Sequence, residues 1–223
     1  MLIERLSSLL DQLGVDWILI LLILLSILSV GLVIERLLFL RRNTVPVRAL
    51  QHPLAKALRE SPEAAKKVLS GYSGMETVVT SAGIDEISRG VAAVEEVMAA
   101  TEALERQRYE RFLSFLASVG SNAPFIGLLG TVIGIMGAFA DLQVSMSATA
   151  DANRTQAIMG SISEALVATA VGLFVAIPAV WAYNQLRTKV KQVHGNTAAL
   201  SGIVLAHLKT EANGSTNAAS ESS

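Results

Sequence analysis

The chain has 223 residues, 52% of them hydrophobic and 17% charged, with a formal net charge of −1. The absence of cysteine excludes disulfides and thiolate metal sites, and the near-neutral charge argues for no particular partner; no nucleic acid is expected. The apolar residues are bunched: no charge occurs from Trp17 to Ile34, none from Phe112 to Ala140, and only Glu164 from Thr155 to Leu186. Runs of about 18 or more apolar residues read as transmembrane helices. The expected fold class is therefore an all-α membrane protein with three transmembrane helices and one sizeable soluble region, 44–111.

Residues 1–16 place Leu2, Ile3, Leu6, Leu9, Leu10 and Leu13 at helical spacing and are expected to form an amphipathic segment at the outer interface. Transmembrane helix 1 follows over 17–40. A cleaved signal peptide fits poorly: Glu4, Asp11 and Asp16 precede the run with only Arg5, and the bulky Glu35-Arg36-Leu37 follows it. Basic residues flank the span ends on one side: Arg36, Arg41, Arg42 and Arg48, then Arg106, Arg108 and Arg111, then Arg187, Lys189 and Lys191. The other side offers Arg5 and Arg154. This asymmetry puts the N-terminus outside and the large loop and C-terminus in the cytoplasm.

In the cytoplasmic helical loop, 41–118, Ser61-Pro62-Glu63 is a helix start: a capping serine, proline in the first turn and an acid at the positive dipole end. Gly71 ends that helix. From Val91 the pattern becomes one long helix, with Val91, Val94, Met98, Thr101, Leu104 and Arg108 on a face and Glu102–Arg106 as an i,i+4 pair. No breaker occurs before Gly120, so this helix is expected to continue unbroken into transmembrane helix 2, 119–141. Glu95, Glu96, Glu102, Glu105 and Glu110 read as a solvated face. His52, His194 and His207 are isolated and outside the spans, with no spacing that suits a metal or catalytic role.

The stretch GLLGTVIGIMGAF, Gly127 to Phe139, admits three readings: a phosphate loop, a soluble core helix, or a membrane helix packed tightly on others. A phosphate loop needs a lysine after its last glycine, and none lies between Lys67 and Lys189. Hydropathy disfavours the core helix. Gly127, Gly130, Gly134 and Gly137 recur at spacings of three and four, so they form one stripe that lets backbones approach in lipid. After a periplasmic loop, 142–155, transmembrane helix 3, 156–184, repeats the device with Gly160, Ala165, Ala168, Thr169, Gly172, Ala176 and Ala179. Span one is rich in Leu and Ile. Spans two and three are thus expected to form an inner layer and span one an outer one.

Glu164 stands alone in the apolar run SISEALVATAVGLFVAIPAVWAYN. Ionisable groups inside a bilayer usually mark ion or proton paths. The bland alternative is an interfacial carboxylate paired with Arg154 or a neighbouring chain. Thr131 and Thr169 are candidates of the same kind, although threonine in a membrane helix often bonds its own backbone. Glu164 and Thr169 lie about 140° apart around the helix, so they share no narrow face. Pro178 is expected to kink span three or free a carbonyl. Residues 185–208 read as a cytoplasmic helix emerging from the bilayer, and 209–223, rich in Ser, Asn and Ala, as a disordered tail. No nucleophile–base constellation is found, so no enzyme and no cofactor is expected.

The blocks APFIGLLGTVIGIMGAF and ISEALVATAVGLFVAIPAVWAYN, with the Ile34-Glu35-Arg36-Leu37 exit from span one, resemble the TolQ/ExbB branch of the MotA/TolQ/ExbB proton-channel family over roughly residues 17–195. The resemblance implies a homopentameric ring in the bacterial inner membrane. Spans two and three would line its lumen and extend as long helices into the cytoplasm. It implies a small ExbD/TolR-like partner with a single span that carries the protonatable aspartate, and an envelope-spanning protein of the TonB/TolA kind. Glu164, Thr131 and Thr169 fall on the family's polar lumen positions, and Pro178 on its span-three proline. The implied function is a stator subunit that couples the proton motive force to work across the envelope: import, envelope maintenance, secretion or gliding. Flagellar stator subunits of the MotA type have four spans, which makes that role a poor fit. A structural membrane scaffold without ion flux is the alternative. A secondary transporter, which would show paired repeats, fits less well.

Overall fold

The computed structural model describes residues 15–146 and 152–221. All regular structure in them is helical: α1 (Asp16–Arg42), α2 (Val47–Glu60), α3 (Pro62–Leu69), α4 (Met75–Asp85), a short 3-10 turn (Ile87–Arg89), α5 (Val91–Glu110), α6 (Leu113–Met146) and α7 (Ala152–Glu221). The expected amphipathic segment lies, up to residue 14, outside the described residues. Three helices are long and apolar enough to cross a membrane. They lie in α1, α6 and the first half of α7, as the uncharged runs require. The helices divide into two compact units. One holds the described residues up to Glu35 and Phe112–Gln185; the other holds Arg36–Arg111 and the residues from Leu186 on.

The first unit is built on small residues. Val15, Ile18 and Leu22 form one wall of its core, Val119, Ala123 and Ile133 of α6 a second, and Ala168, Val175, Ala176 and Ala179 of α7 a third. In lipid such a core gains by van der Waals packing rather than by escape from water, so closeness of approach decides its strength. The most apolar window of the first span is 17% buried, against 39% for each of the other two. Span one is thus the least buried of the three.

The second unit packs amphipathic helices. Val47, Leu50, Leu54, Ala57 and Leu58 put one face of α2 inside. Each fully buried aliphatic side chain there contributes about 1.5–3 kcal/mol in water. Ser61 begins α3: its Oγ accepts from the Ala64 N–H at 3.1 Å, with Pro62 in the first turn. The helix ends at Leu69, two residues before Gly71.

Three expectations are corrected. The run from Val91 does not continue into span two. It breaks at Arg111–Phe112, where Phe112 takes the left-handed conformation (φ 65°). No glycine or proline marks this break. It is held by tertiary bonds to the end of α5. Arg36 Nη1 donates to the Arg108 carbonyl at 3.0 Å, taking one of the carbonyls that the helix end orphans, and the buried Tyr109 hydroxyl accepts from the Met75 N–H at 3.0 Å. Second, Arg106 pairs with Glu110 (2.8 Å) rather than Glu102, and the acidic face is not simply solvated. Glu102 meets His194 Nδ1 at 3.0 Å, and Glu95 meets Lys209 at 2.9 Å. Third, α7 runs to Glu221, through most of the expected tail. Once a helix is nucleated each further residue adds a hydrogen bond, so a long stem carries weak formers with it.

Candidate functional site

The closest approach in the first unit joins α6 to α7 through two glycines. A Cβ built on Gly127 would lie 2.7 Å from the Ala168 carbonyl oxygen and 3.2 Å from the Gly172 Cα; one on Gly172 would lie 2.6 Å from the Ala123 carbonyl oxygen and 3.0 Å from the Gly127 Cα. These are backbone atoms, which cannot swing aside. The two helices touch backbone to backbone. Further along, Gly130 faces the Ala168 methyl and Gly134 the Ala165 methyl, each 2.6 Å from a built Cβ. Gly137 continues the stripe in sequence, but a Cβ there would meet nothing within 4 Å among the described residues.

The approach places Thr169. Its Oγ1 donates to the Gly127 carbonyl at 3.0 Å, across the helix pair. Thr131, 8% exposed, instead donates to its own helix at the Leu128 carbonyl, 2.7 Å away. So one threonine binds the neighbouring helix and the other follows the local pattern common in membrane helices. Glu164 is exposed and makes no hydrogen bond or ion pair among the described residues. It points away from the face that Thr169 uses, as their angular separation requires. The Arg154 side chain lies outside those described. Pro178 sits within the unbroken α7 and is exposed, beside a groove lined by Ser29 and Trp181. Pro124, not singled out from the sequence, stands inside α6 just after Ala123, whose carbonyl meets Gly172. Each proline deprives the carbonyl four residues earlier, at Phe174 and Gly120, of its usual donor.

The arrangement offers, in two packed helices, hydroxyls that both donate and accept, and one carboxyl without a partner among the described residues. No group of three or more metal-binding side chains occurs among the described residues.

A second set of polar groups, in the second unit, was not apparent in the sequence. Arg36 is buried, with its guanidinium 4.8 Å from the Phe39 ring centroid, and Phe39 meets Tyr109 edge-to-face at 5.1 Å. Glu76, 1% exposed, accepts from Asn196 Nδ2 at 3.5 Å, and its Oε2 has no partner. Burial pushes the Glu76 carboxyl above the usual carboxylate range, and burial likewise raises the Tyr109 hydroxyl. The one available sequence signal was an acid inside the otherwise uncharged run METVVTSAGI.

Residues 72–198, more than half of the chain, match the MotA/TolQ/ExbB proton channel family. The chain is 41% identical over 111 residues to the Tol-Pal system protein TolQ of Pseudomonas aeruginosa, covering 50% of this chain and 45% of that protein. It is 48% identical over 95 residues to TolQ of Haemophilus influenzae, covering 41% and 40%. It is 49% identical over 80 residues to the biopolymer transport protein ExbB of Xanthomonas campestris, covering 36% and 30%. The chain thus matches less than half the length of each of these relatives. With three apolar helices, a backbone-to-backbone helix pair and this match, it is a multi-pass membrane protein and belongs to the MotA/TolQ/ExbB proton channel family.

Proposed function

We propose that this chain is the ring-forming subunit of a proton-driven motor in the bacterial inner membrane, with its N-terminus periplasmic and its C-terminus cytoplasmic. Five copies surround a lumen lined by α6 and α7, and an ExbD/TolR-like single-span partner sits inside. The motor drives an envelope-spanning protein of the TonB/TolA kind. The observation that carries this reading is the Thr169–Gly127 bond within the backbone-to-backbone pair. It fixes a hydroxyl in the packed helix pair, while Glu164 on the same helix is exposed and has no partner among the described residues.

The roles follow from the residues. Gly127, Gly130, Gly134 and Gly172 keep α6 and α7 a rigid wall. Thr131 and Thr169 supply hydroxyls that relay a proton to and from the partner's acid. Glu164 supplies a negative charge that holds the proton path open to the outer side. Each proton that crosses yields about 2.3 kcal/mol per 100 mV. Neutralising the partner's acid lets its helix step to the next subunit, and the steps accumulate as rotation.

The test is native mass spectrometry of the detergent-extracted protein, alone and co-expressed with the single-span protein encoded beside it, followed by proton flux in vesicles. A five-copy ring that gains the neighbour, and flux abolished in Glu164→Gln, are the expected results. A monomer or dimer that ignores the neighbour would remove the motor and put the scaffold in its place.

A further inference from the structure

A cavity of about 430 Å³ lies in the second unit, between the end of α1, the start of α4 and α7. Thr131, Thr169 and Glu164 are not among its lining residues. Arg41 and Lys189 line it, both exposed and neither in an ion pair among the described residues. Gln192 and Asn196 add amide groups, and Glu76 forms part of the wall. The Glu76 carboxyl accepts a long hydrogen bond from Asn196 and interacts with its own backbone N–H, and its Oε2 has no partner among the described residues.

This combination decides the sign of an occupant. Two unpaired cations repel a metal ion or an ammonium group. An ionised carboxylate so buried would draw Arg41 or Lys189 toward itself, yet neither pairs with it here. A protonated carboxyl needs no cation and can donate a hydrogen bond. It then leaves both cations, with their amide neighbours, for a ligand rich in acceptor oxygens. Tetrahedral oxyanions of the phosphate class fit this donor set, since both Arg and Lys bind them in charge-assisted bonds.

We infer that this cavity binds an oxyanion of the phosphate class through Arg41 and Lys189, and admits it when the Glu76 carboxyl carries a proton. Loss of the proton turns the carboxyl into a rival anion for the same two cations. Binding therefore takes up a proton, and affinity falls by about tenfold per pH unit while Glu76 titrates. Tyr109, whose hydroxyl accepts from the Met75 N–H, is a further titratable group that interacts with Glu76; Glu105 and Arg108 act on Tyr109 with opposite sign. Burial favours the protonated carboxyl, in the direction that the inference needs. A lipid headgroup and a free phosphate share this chemistry.

The experiment uses the full chain in a neutral detergent, titrated with sulfate, which does not change its own charge between pH 5.5 and 8. The expected result is sulfate binding at pH 5.5 that is weaker at pH 8. Arg41→Gln/Lys189→Gln, a change at two exposed side chains, binds at neither pH. Glu76→Gln binds equally at both, with its fold checked by thermal melting. Sulfate binding that survives in the double variant, or an unchanged pH slope in folded Glu76→Gln, overturns the inference. So does the absence of sulfate binding in the wild type. Native mass spectrometry from phosphatidylglycerol and phosphatidylcholine nanodiscs separates the sources. A phosphatidylglycerol adduct lost in the double variant assigns the oxyanion to a headgroup; sulfate binding without such an adduct assigns it to a free oxyanion. None of these readouts depends on proton flux, so they stand or fall apart from the motor.

Discussion

Thr169 Oγ1 donates to the Gly127 carbonyl at 3.0 Å, from one membrane helix to the backbone of another. A hydroxyl reaches a helix backbone only where the facing residues are nearly absent, and Gly127 and Gly172 supply that absence. The bond and the glycines are therefore one device. Interhelical hydrogen bonds in membranes average about 0.6 kcal/mol, so packing carries most of the stability and the hydroxyl is available for chemistry.

Gly127→Ala and Gly172→Ala should each destabilise the protein, because the added methyl meets a carbonyl oxygen at 2.7 and 2.6 Å respectively. Overpacking of this kind costs about 1–3 kcal/mol. Gly137→Ala should be neutral or stabilising by up to about 1 kcal/mol, since its Cβ enters open space and alanine is the better helix former. Thermal melting of the three variants in one detergent checks the order. A Gly137→Ala variant as unstable as Gly127→Ala would mean that Gly137 is covered by another copy or by residues of this chain beyond those described.

Thr169→Val keeps the shape and removes the donor. Its stability loss should stay near the 0.6 kcal/mol average, below about 1.7 kcal/mol. Proton flux in vesicles should fall far more than this stability loss explains, and Thr169→Ser should restore it. Flux that follows stability across the pair would make Thr169 a packing residue only.

Glu164→Gln should fold as the parent does, within about 0.5 kcal/mol, because the side chain is exposed and has no partner among the described residues. Flux should be lost. Melting and flux measured on the same preparation separate the two effects. A variant that melts early would show that Glu164 is paired, with Arg154 or with a neighbouring copy.

Phe112→Gly should stabilise the break between α5 and α6. A non-glycine residue at φ 65° costs about 1 kcal/mol or more, and glycine adopts this conformation without strain. Loss of the Phe112 side chain offsets part of the gain. Arg36→Gln should do the opposite, losing a charge-assisted bond to the Arg108 carbonyl worth about 1.5–3 kcal/mol. Denaturant melts of both variants check the pair of signs.

The parts legible in the sequence share a cause. An uncharged run long enough to span lipid, and glycines three and four apart, act through local periodicity, so the three spans and the Gly127–Gly134 stripe could be read directly. The break at Phe112 could not, because it is imposed by Arg36 and Tyr109 from distant sequence against a helical pattern. The Glu102–His194 and Glu76–Asn196 pairs lie 92 and 120 residues apart, and nothing local announces them. Thr131 and Thr169 looked alike in sequence; only the helix pairing made one of them a bridge.

Glu76 gives stability a pH dependence of defined sign. Its folded pKa is raised by burial above the unfolded value, so the folded state prefers the protonated form. The stabilisation is fully present below the unfolded carboxylate pKa and is lost as pH rises through the raised folded value. Glu76→Gln imitates the protonated form at every pH. It should therefore match the parent at low pH, exceed it increasingly as pH rises from the unfolded value to the raised folded value, and keep that advantage above it. Chemical unfolding of both proteins in a pH series reads the difference directly. A difference that shrinks with rising pH would mean that the carboxylate is stabilised in the fold, with Arg41 or Lys189 turned inward to meet it.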